Sequence, residues 1–231
     1  MGVVRRVGEA VIWTVSSEDE LYEALQAGAA FIELANNIQC RRYPLYLRNV
    51  KIFGGGLRFD IEAGQKPDNM LVLQGDVWLR NMSVNVSFKE GFFSDKDEMF
   101  AVVRVNDARA SLGNVTIRLK AENLMGCKNS CYSGIYVLSP LELGGSVDVD
   151  VSGEYVSAIS GSGIAKSRCC RDREWAGTTT LQIWQHNSRR PLVDGCLIDL
   201  DDVCMIIHDL WHFRKPRFSL KRLLSKFKRL L

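Results

Sequence analysis

Leu79-Arg80-Asn81-Met82-Ser83-Val84 is the stretch from which the fold is read, because near copies of it stand on either side. Leu47-Arg48-Asn49-Val50-Lys51-Ile52 precedes it and Leu112-Gly113-Asn114-Val115-Thr116-Ile117 follows, with 32 residues from Asn49 to Asn81 and 33 from Asn81 to Asn114. A fourth phrase, Leu143-Gly144-Gly145-Ser146-Val147, comes 31 residues after Asn114 with glycine in the asparagine position. Self-similarity at such a period predicts one structural unit stacked on itself, an all-β solenoid.

Hydrophobic alternation fills in each unit. Leu71 and Leu73 precede Leu79, Val103 and Val105 precede Leu112, and Ile135 and Val137 precede Leu143, giving a first β-like run. Past the asparagine, Met82, Val84 and Val86 share one face of a second run, as do Val115, Ile117 and Leu119. Period two of this kind marks strands with one buried face. Gly54-Gly55-Gly56 and Gly144-Gly145 punctuate the units where the chain turns. Loops are expected from Glu62 to Asn69, Lys89 to Glu98 and Glu122 to Ser133.

The flanks read differently. Ser17 and Glu20 are spaced as a capping box, Gly28 suits a helix stop, and Leu21, Ala24 and Leu25 fall on one stripe between them. An amphipathic helix here is suited to cover the open end of a solenoid core, with Phe31-Ile32-Glu33-Leu34 as the next strand. Beyond about Ser160 the repeat fades, although Thr178 to Trp184 and Gly195 to Leu200 read as further strands. Asp201-Asp202 then opens a stretch in which Val203, Ile206, Ile207, Leu210 and Trp211 recur at helical spacing. The expected organisation is an N-terminal strand and capping helix over 1–30, the β-solenoid over 31–200, a short helix over 201–213 and a basic amphipathic helix over 214–231.

Val15 to Leu34 and the recurrent Leu-x-Asn-Val-x-Ile phrase resemble the right-handed parallel β-helix of the pectate-lyase-like superfamily, over roughly residues 10 to 160. The first segment is similar to the capping helix and first strand of many members; the second has asparagine where that family often places it, at a tight turn between strands. Asparagine suits such a bend because it tolerates the left-handed conformation and hydrogen-bonds locally. The resemblance implies a right-handed parallel β-helix with an N-terminal capping helix, here followed by C-terminal helices. Units of 31 to 33 residues exceed the family's usual coil, so loops within them are required.

The family's chemistry is not carried with the fold. Polygalacturonase-like members use an Asn-Thr-Asp phrase, an Asp-Asp pair, a Gly-His-Gly and an Arg-x-Lys; here Arg118-Leu119-Lys120 and Asp201-Asp202 match two of these in reversed order, and the Asp pair is explained as a helix-start cap. Lyase-like members use calcium held by acidic residues and a proton-removing arginine. Asp148 and Asp150 share a strand face and Arg214-Lys215-Pro216-Arg217 echoes the arginine-proline phrase only in part. His208 and His212 stand four apart, but Asp209 rather than Glu follows His208, unlike the zinc-protease motif; these two and His186 are read as structural or interfacial. Seven cysteines without a C-x-x-C pair read as reduced thiols, so Cys127, Cys131 and Cys169-Cys170 are not assigned to zinc. No catalytic residue, metal or cofactor is expected.

Bulk properties set the remaining bounds. With 46% apolar and 25% charged residues in 231, the composition is that of a folded globular protein. No run approaches the ~18 apolar residues of a membrane span. Met1-Gly2-Val3-Val4-Arg5-Arg6 leads into no signal-peptide core, and Arg6 stands where a myristoylation motif wants Ser or Thr, so a cytoplasmic protein is expected.

The charge is unevenly placed. From Arg214 to Leu231 there are eight Lys or Arg and no acid, leaving 22 basic against 27 acidic residues elsewhere beneath the formal net charge of +3. Leu220, Leu223, Leu224, Phe227, Leu230 and Leu231 form a helical stripe, with Arg214, Lys215, Arg217, Lys221, Arg222, Lys226, Lys228 and Arg229 around it or just before it. A basic amphipathic helix of this kind lies on an anionic membrane, enters a partner-protein groove or packs back on its own core. Nucleic acid would use the charges and leave six large apolar residues unexplained. The expected function is a non-enzymatic β-helix scaffold, peripheral at a membrane or partner surface, with a carbohydrate-active enzyme as the alternative.

Overall fold

The computed structural model describes residues 2–62, 69–89, 99–121, 131–167, 179–199 and 203–210. In chain order these form β1 (Val3–Val7), β2 (Ala10–Val15), α1 (Glu18–Gln26), β3 (Phe31–Leu34), β4 (Asn37–Cys40), β5 (Leu45–Arg48), β6 (Lys51–Phe53), β7 (Gly56–Ile61) and β8 (Leu71–Phe88). There follow β9 (Met99–Lys120), β10 (Cys131–Val137), β11 (Leu141–Ser152), β12 (Val156–Gly161), β13 (Ile164–Ser167), β14 (Thr179–His186), β15 (Val193–Asp194), β16 (Leu197–Asp199) and β17 (Val203–Leu210). The protein is therefore all-β in class, with α1 the one helix among the described residues.

Strand β1 pairs antiparallel with β2; the other pairings are parallel and fall into three ladders. Ladder one runs β2, β3, β6, then the middles of β8 and β9, the start of β11, β13 and β16. Ladder two runs β4, β7, the ends of β8, β9 and β11, then β14 and β17. Ladder three runs β5, the starts of β8 and β9, then β10, β12 and β15. The long strands thus bend from one ladder to the next.

Register stacks like on like. Ile32, Ile52, Leu79, Leu112 and Leu143 are successive partners in ladder one, each with no exposed surface. Leu57, Val84, Ile117, Val149 and Ile183 do the same in ladder two, and Leu71, Val103, Ile135 and Ile159 in ladder three. One column comes from each wall, so the three meet in a common core. Each such side chain contributes about 1.5–3 kcal/mol by leaving water. Phe88, Phe100 and Tyr132 add an edge-on aromatic cluster, with Phe88 5.2 Å from Phe100 and 5.8 Å from Tyr132 between ring centroids.

The bends explain the asparagines. Asn49, Asn81 and Asn114 have φ of 50°, 49° and 51°, and Gly145 has 63°, all in the left-handed region that Asn and Gly tolerate. Asn114 donates from Nδ2 to Asn81 Oδ1 at 3.0 Å and accepts from the Ser146 amide at 3.0 Å, so the side chains tie successive bends together. Asn49 belongs elsewhere: its Oδ1 accepts from the Asp76 amide at 2.9 Å, at the bend between ladders three and one, whereas Asn81 and Asn114 turn the chain from ladder one to ladder two. The 32-residue spacing from Asn49 to Asn81 is consequently not a register step, since Ile52 pairs with Leu79, only 27 residues on.

True steps are shorter where nothing interrupts them. Ile32 reaches Ile52 in 20 residues, and Val137 reaches Gly161 and Ile183 reaches Ile207 in 24 each. The step from Leu79 to Leu112, 33 residues, includes 90–98, and that from Leu112 to Leu143, 31 residues, includes 122–130. The expected loops at 62–69, 89–98 and 122–133 fall largely outside the described residues, except that 131–133 begin β10.

At the N-terminus α1 forms as its capping signals predict. Ser17 Oγ accepts from the Glu20 amide at 3.3 Å, while the Glu20 carboxylate accepts from the amide and hydroxyl of Ser16 at 2.8 and 2.9 Å. The bond from the Ser16 amide is the foremost cause that lowers the Glu20 pKa to about 2. Gly28, φ 71°, follows the helix end, and Leu21 and Ala24 are fully buried.

The C-terminal expectation is overturned over its described part. Residues 203–210, read as part of a helix over 201–213, form β17 in continuous parallel register with β14 from Thr179↔Val203 to His186↔Leu210. Three β-branched residues, Val203, Ile206 and Ile207, disfavour a helix, and the edge of β14 offers eight residues a ladder for their amides and carbonyls. Strand structure therefore runs ten residues past the expected boundary at 200. Trp211 and the expected helix over 214–231 lie outside the described residues.

Candidate functional site

Alternation that sends Val84, Ile117, Val149 and Ile183 inward on ladder two sends their neighbours outward. Across β7, β8, β9, β11, β14 and β17 one outward column reads Arg58, Asn85, Arg118, Asp150, Trp184 and His208. A second reads Asp60, Ser87, Lys120, Ser152 and His186. The result is a polar wall carrying both signs of charge.

Its chemistry concentrates around Asp150. Arg118 Nε lies 3.8 Å from Asp150 Oδ2, and His186 Nε2 lies 3.4 Å from Asp150 Oδ1, so the carboxylate is bracketed by two nitrogen groups from β9 and β14. Lys120 stands one column away, and Ser146 Oγ donates to Asp148 Oδ1 at 3.1 Å. Asp150 and Arg118 are 40% and 54% exposed, which makes the pairing a weak contributor to stability and leaves both groups open to a ligand. Next to them the rings of Trp184 and His208 stack at 3.6 Å and 10°, as direct partners in a parallel ladder do when both are planar.

Several residues singled out by sequence thus come together. Arg118 and Lys120 of the Arg-x-Lys phrase, Asp148 and Asp150, and two of the three histidines share one wall. Asp148 and Asp150 do share a face, yet among the described residues no group of three or more His, Cys, Asp or Glu side chains is placed to hold a metal ion. His208 lies on a strand and not on a helix, so its pairing with His212 at helical spacing is lost on the described side; His212 lies outside the described residues. So do Asp201, Asp202, Cys127, Cys169 and Cys170. Buried Cys40 has its thiol pushed up to about 12 by desolvation, which keeps it protonated and unreactive at neutral pH.

Two other surfaces bear on function. A small open depression at the bend into ladder one is lined by Arg48, Asn49, Gln74, Gly75 and Asp107. On ladder one, Lys51 Nζ lies 3.8 Å from the centroid of Trp78, and the Arg80 guanidinium 4.5 Å from the same ring, two cation–π contacts to one indole.

All fourteen residues expected to bind a membrane or partner, from Arg214 to Leu231, lie outside the described residues. Among the described residues no helix is long and apolar enough to cross a membrane. Comparison with family models, curated proteins and solved structures finds no match.

Proposed function

We propose that the three ladders wind as a right-handed parallel β-helix closed at its first end by α1, and that this body is a non-catalytic binding and assembly scaffold held at an anionic membrane by its C-terminal segment. The carrying observation is the partition of charge: eight cations and no acid between Arg214 and Leu231, against 22 basic and 27 acidic residues in the rest. Six large apolar residues at helical spacing within the same segment supply what cations alone would not, an apolar stripe to bury. Near an anionic surface each cation gains about 1 kcal/mol, so together they suffice for a peripheral anchor. Full-length chain is expected to sediment with vesicles of 7:3 phosphatidylcholine and phosphatidylserine at least tenfold more than a chain ending at Phe213. Equal sedimentation of the two defeats the membrane assignment, and binding of a partner protein by the same segment would replace it.

A second reading, a carbohydrate-active enzyme of polysaccharide lyase or glycoside hydrolase type, is favoured by the Asp150 cluster with its flanking Arg118, His186 and Lys120. It predicts that acidic polysaccharides, with or without calcium, yield reducing ends or unsaturated products, and that Asp150→Asn lowers the yield at least a hundredfold. A wild-type chain that releases neither ends this reading.

A further inference from the structure

Each core column changes character at its last member. Ile159, Ala165, Leu181 and Ile183 have no exposed surface, yet their next partners in register are Val193, Ile198, Met205 and Ile207, of which the first three are half-buried and Ile207 is 49% exposed. Nothing in the residue types accounts for this, since all four are apolar. Position does: among the described residues no strand lies beyond β15, β16 and β17.

The opposite end has the same need and meets it with α1, whose Leu21 and Ala24 are fully buried against the first strands. One amphipathic helix is thus enough to cover such an end.

We infer that the cover of the last strands is this chain's own C-terminal segment, residues 211–231, laid with its apolar stripe over Met205 and Ile207. Twenty-one residues follow Leu210, and the ten steps to Leu220 span up to about 33 Å when extended, ample to return across the end. Charge favours the same seat, because Asp194 and exposed Asp199 lie in the last strands while the segment is wholly basic among its charged residues.

The inference rests on the stacked-coil part of the proposed function and is independent of the membrane part. If both hold, the same stripe serves two surfaces, and seating on a bilayer uncovers Ile207.

Hydrogen–deuterium exchange on the full-length protein reads this directly. In the chain carrying Leu223→Asp and Leu224→Asp, the amides of 203–210 are expected to exchange at least tenfold faster than in wild type, while those of 71–74 are unchanged and report an intact body. Leu224→Ser alone should give an intermediate rate. Unchanged exchange of 203–210 in both variants overturns the inference. Protection that survives both and grows with protein concentration also overturns it, assigning the end to a second copy. Vesicles that fail to bind while 203–210 remain protected by the segment defeat the membrane assignment and leave this inference standing; vesicle binding with exchange indifferent to the substitutions does the reverse.

Discussion

Leu112→Ala is expected to lower the unfolding free energy by about 4 kcal/mol, near the upper part of the range for leucine truncations in cores. Leu112 has no exposed surface and lies between Leu79 and Leu143 as their partner in register. Two terms add: the transfer energy of the deleted methyl and methylene groups, and the cavity left behind. The second is large here for a geometric reason. In parallel ladders neighbouring strands are held roughly 4.8 Å apart by backbone hydrogen bonds, so Leu79 and Leu143 cannot slide together to fill the gap. Urea unfolding followed by circular dichroism measures the loss, and Leu197→Ala serves as the reference, because Leu197 is 61% exposed on the last strand of ladder one and should cost well under 1 kcal/mol. A Leu112 variant that behaves like the Leu197 variant would mean that the columns are not tightly packed.

The sequence made the columns legible because alternation is local: Val115, Ile117 and Leu119 announce a buried face without knowledge of what lies beside them. Bends at Asn81 and Asn114 were equally legible, since a left-handed residue between two alternating runs has a short list of candidates. Asn49 shows the limit. Its phrase copies the other two in residue type, but which bend it makes depends on the lengths of the intervening segments, and the pairing of Ile52 with Leu79 fixes that. The segment from Val203 to Leu210 fails in another way. Eight residues rich in apolar side chains match period 3.6 and period two almost equally, and the free edge of β14, distant in sequence, decides between them.

The polar wall on ladder two was missed for the same non-local reason. Arg118, Asp150 and His186 lie 32 and 36 residues apart in succession, and Trp184 meets His208 across 24. Arg118, Asp150, His186 and His208 each stand out in the sequence, whereas Trp184 as a stacking partner does not, and local patterning carries no register. A signal did exist. Arg118-x-Lys120, Asp148-x-Asp150 and Gln182-x-Trp184-x-His186 all occupy the polar positions of alternating runs, so aligning those runs by their apolar residues would have placed them side by side.

Gly161→Ala should be among the most damaging single-methyl changes at the described residues, with an expected loss of about 3–5 kcal/mol and a melting temperature about 10 °C lower. Gly161 has φ of 125°, a region open to glycine and closed to residues with a Cβ, and such strain costs about 1–3 kcal/mol. A Cβ there would stand 2.1 Å from the Val137 carbonyl oxygen, far inside contact distance. That oxygen is already engaged, accepting from the amides of Ser162 at 3.0 Å and Gly163 at 2.9 Å. Moving it aside loosens two hydrogen bonds of about 1 kcal/mol each, at the step where β12 hands over to β13. Gly8→Ala separates strain from collision, because Gly8 has φ of 62° but nothing within 4 Å of its Cβ position, so only the left-handed penalty of about 1 kcal/mol applies. Differential scanning calorimetry of the two variants decides the point: equal shifts would mean that the Val137 carbonyl yields freely and the turn is not anchored there. On the proposed winding of the ladders as a β-helix, in which each coil touches only its neighbours, the damage should also be directional. Exchange of 179–186 and 203–210, which lie beyond Gly161, is expected to quicken well before that of 31–34 and 51–53, and loss of protection at all four segments together would show instead that the whole body unfolds as one unit.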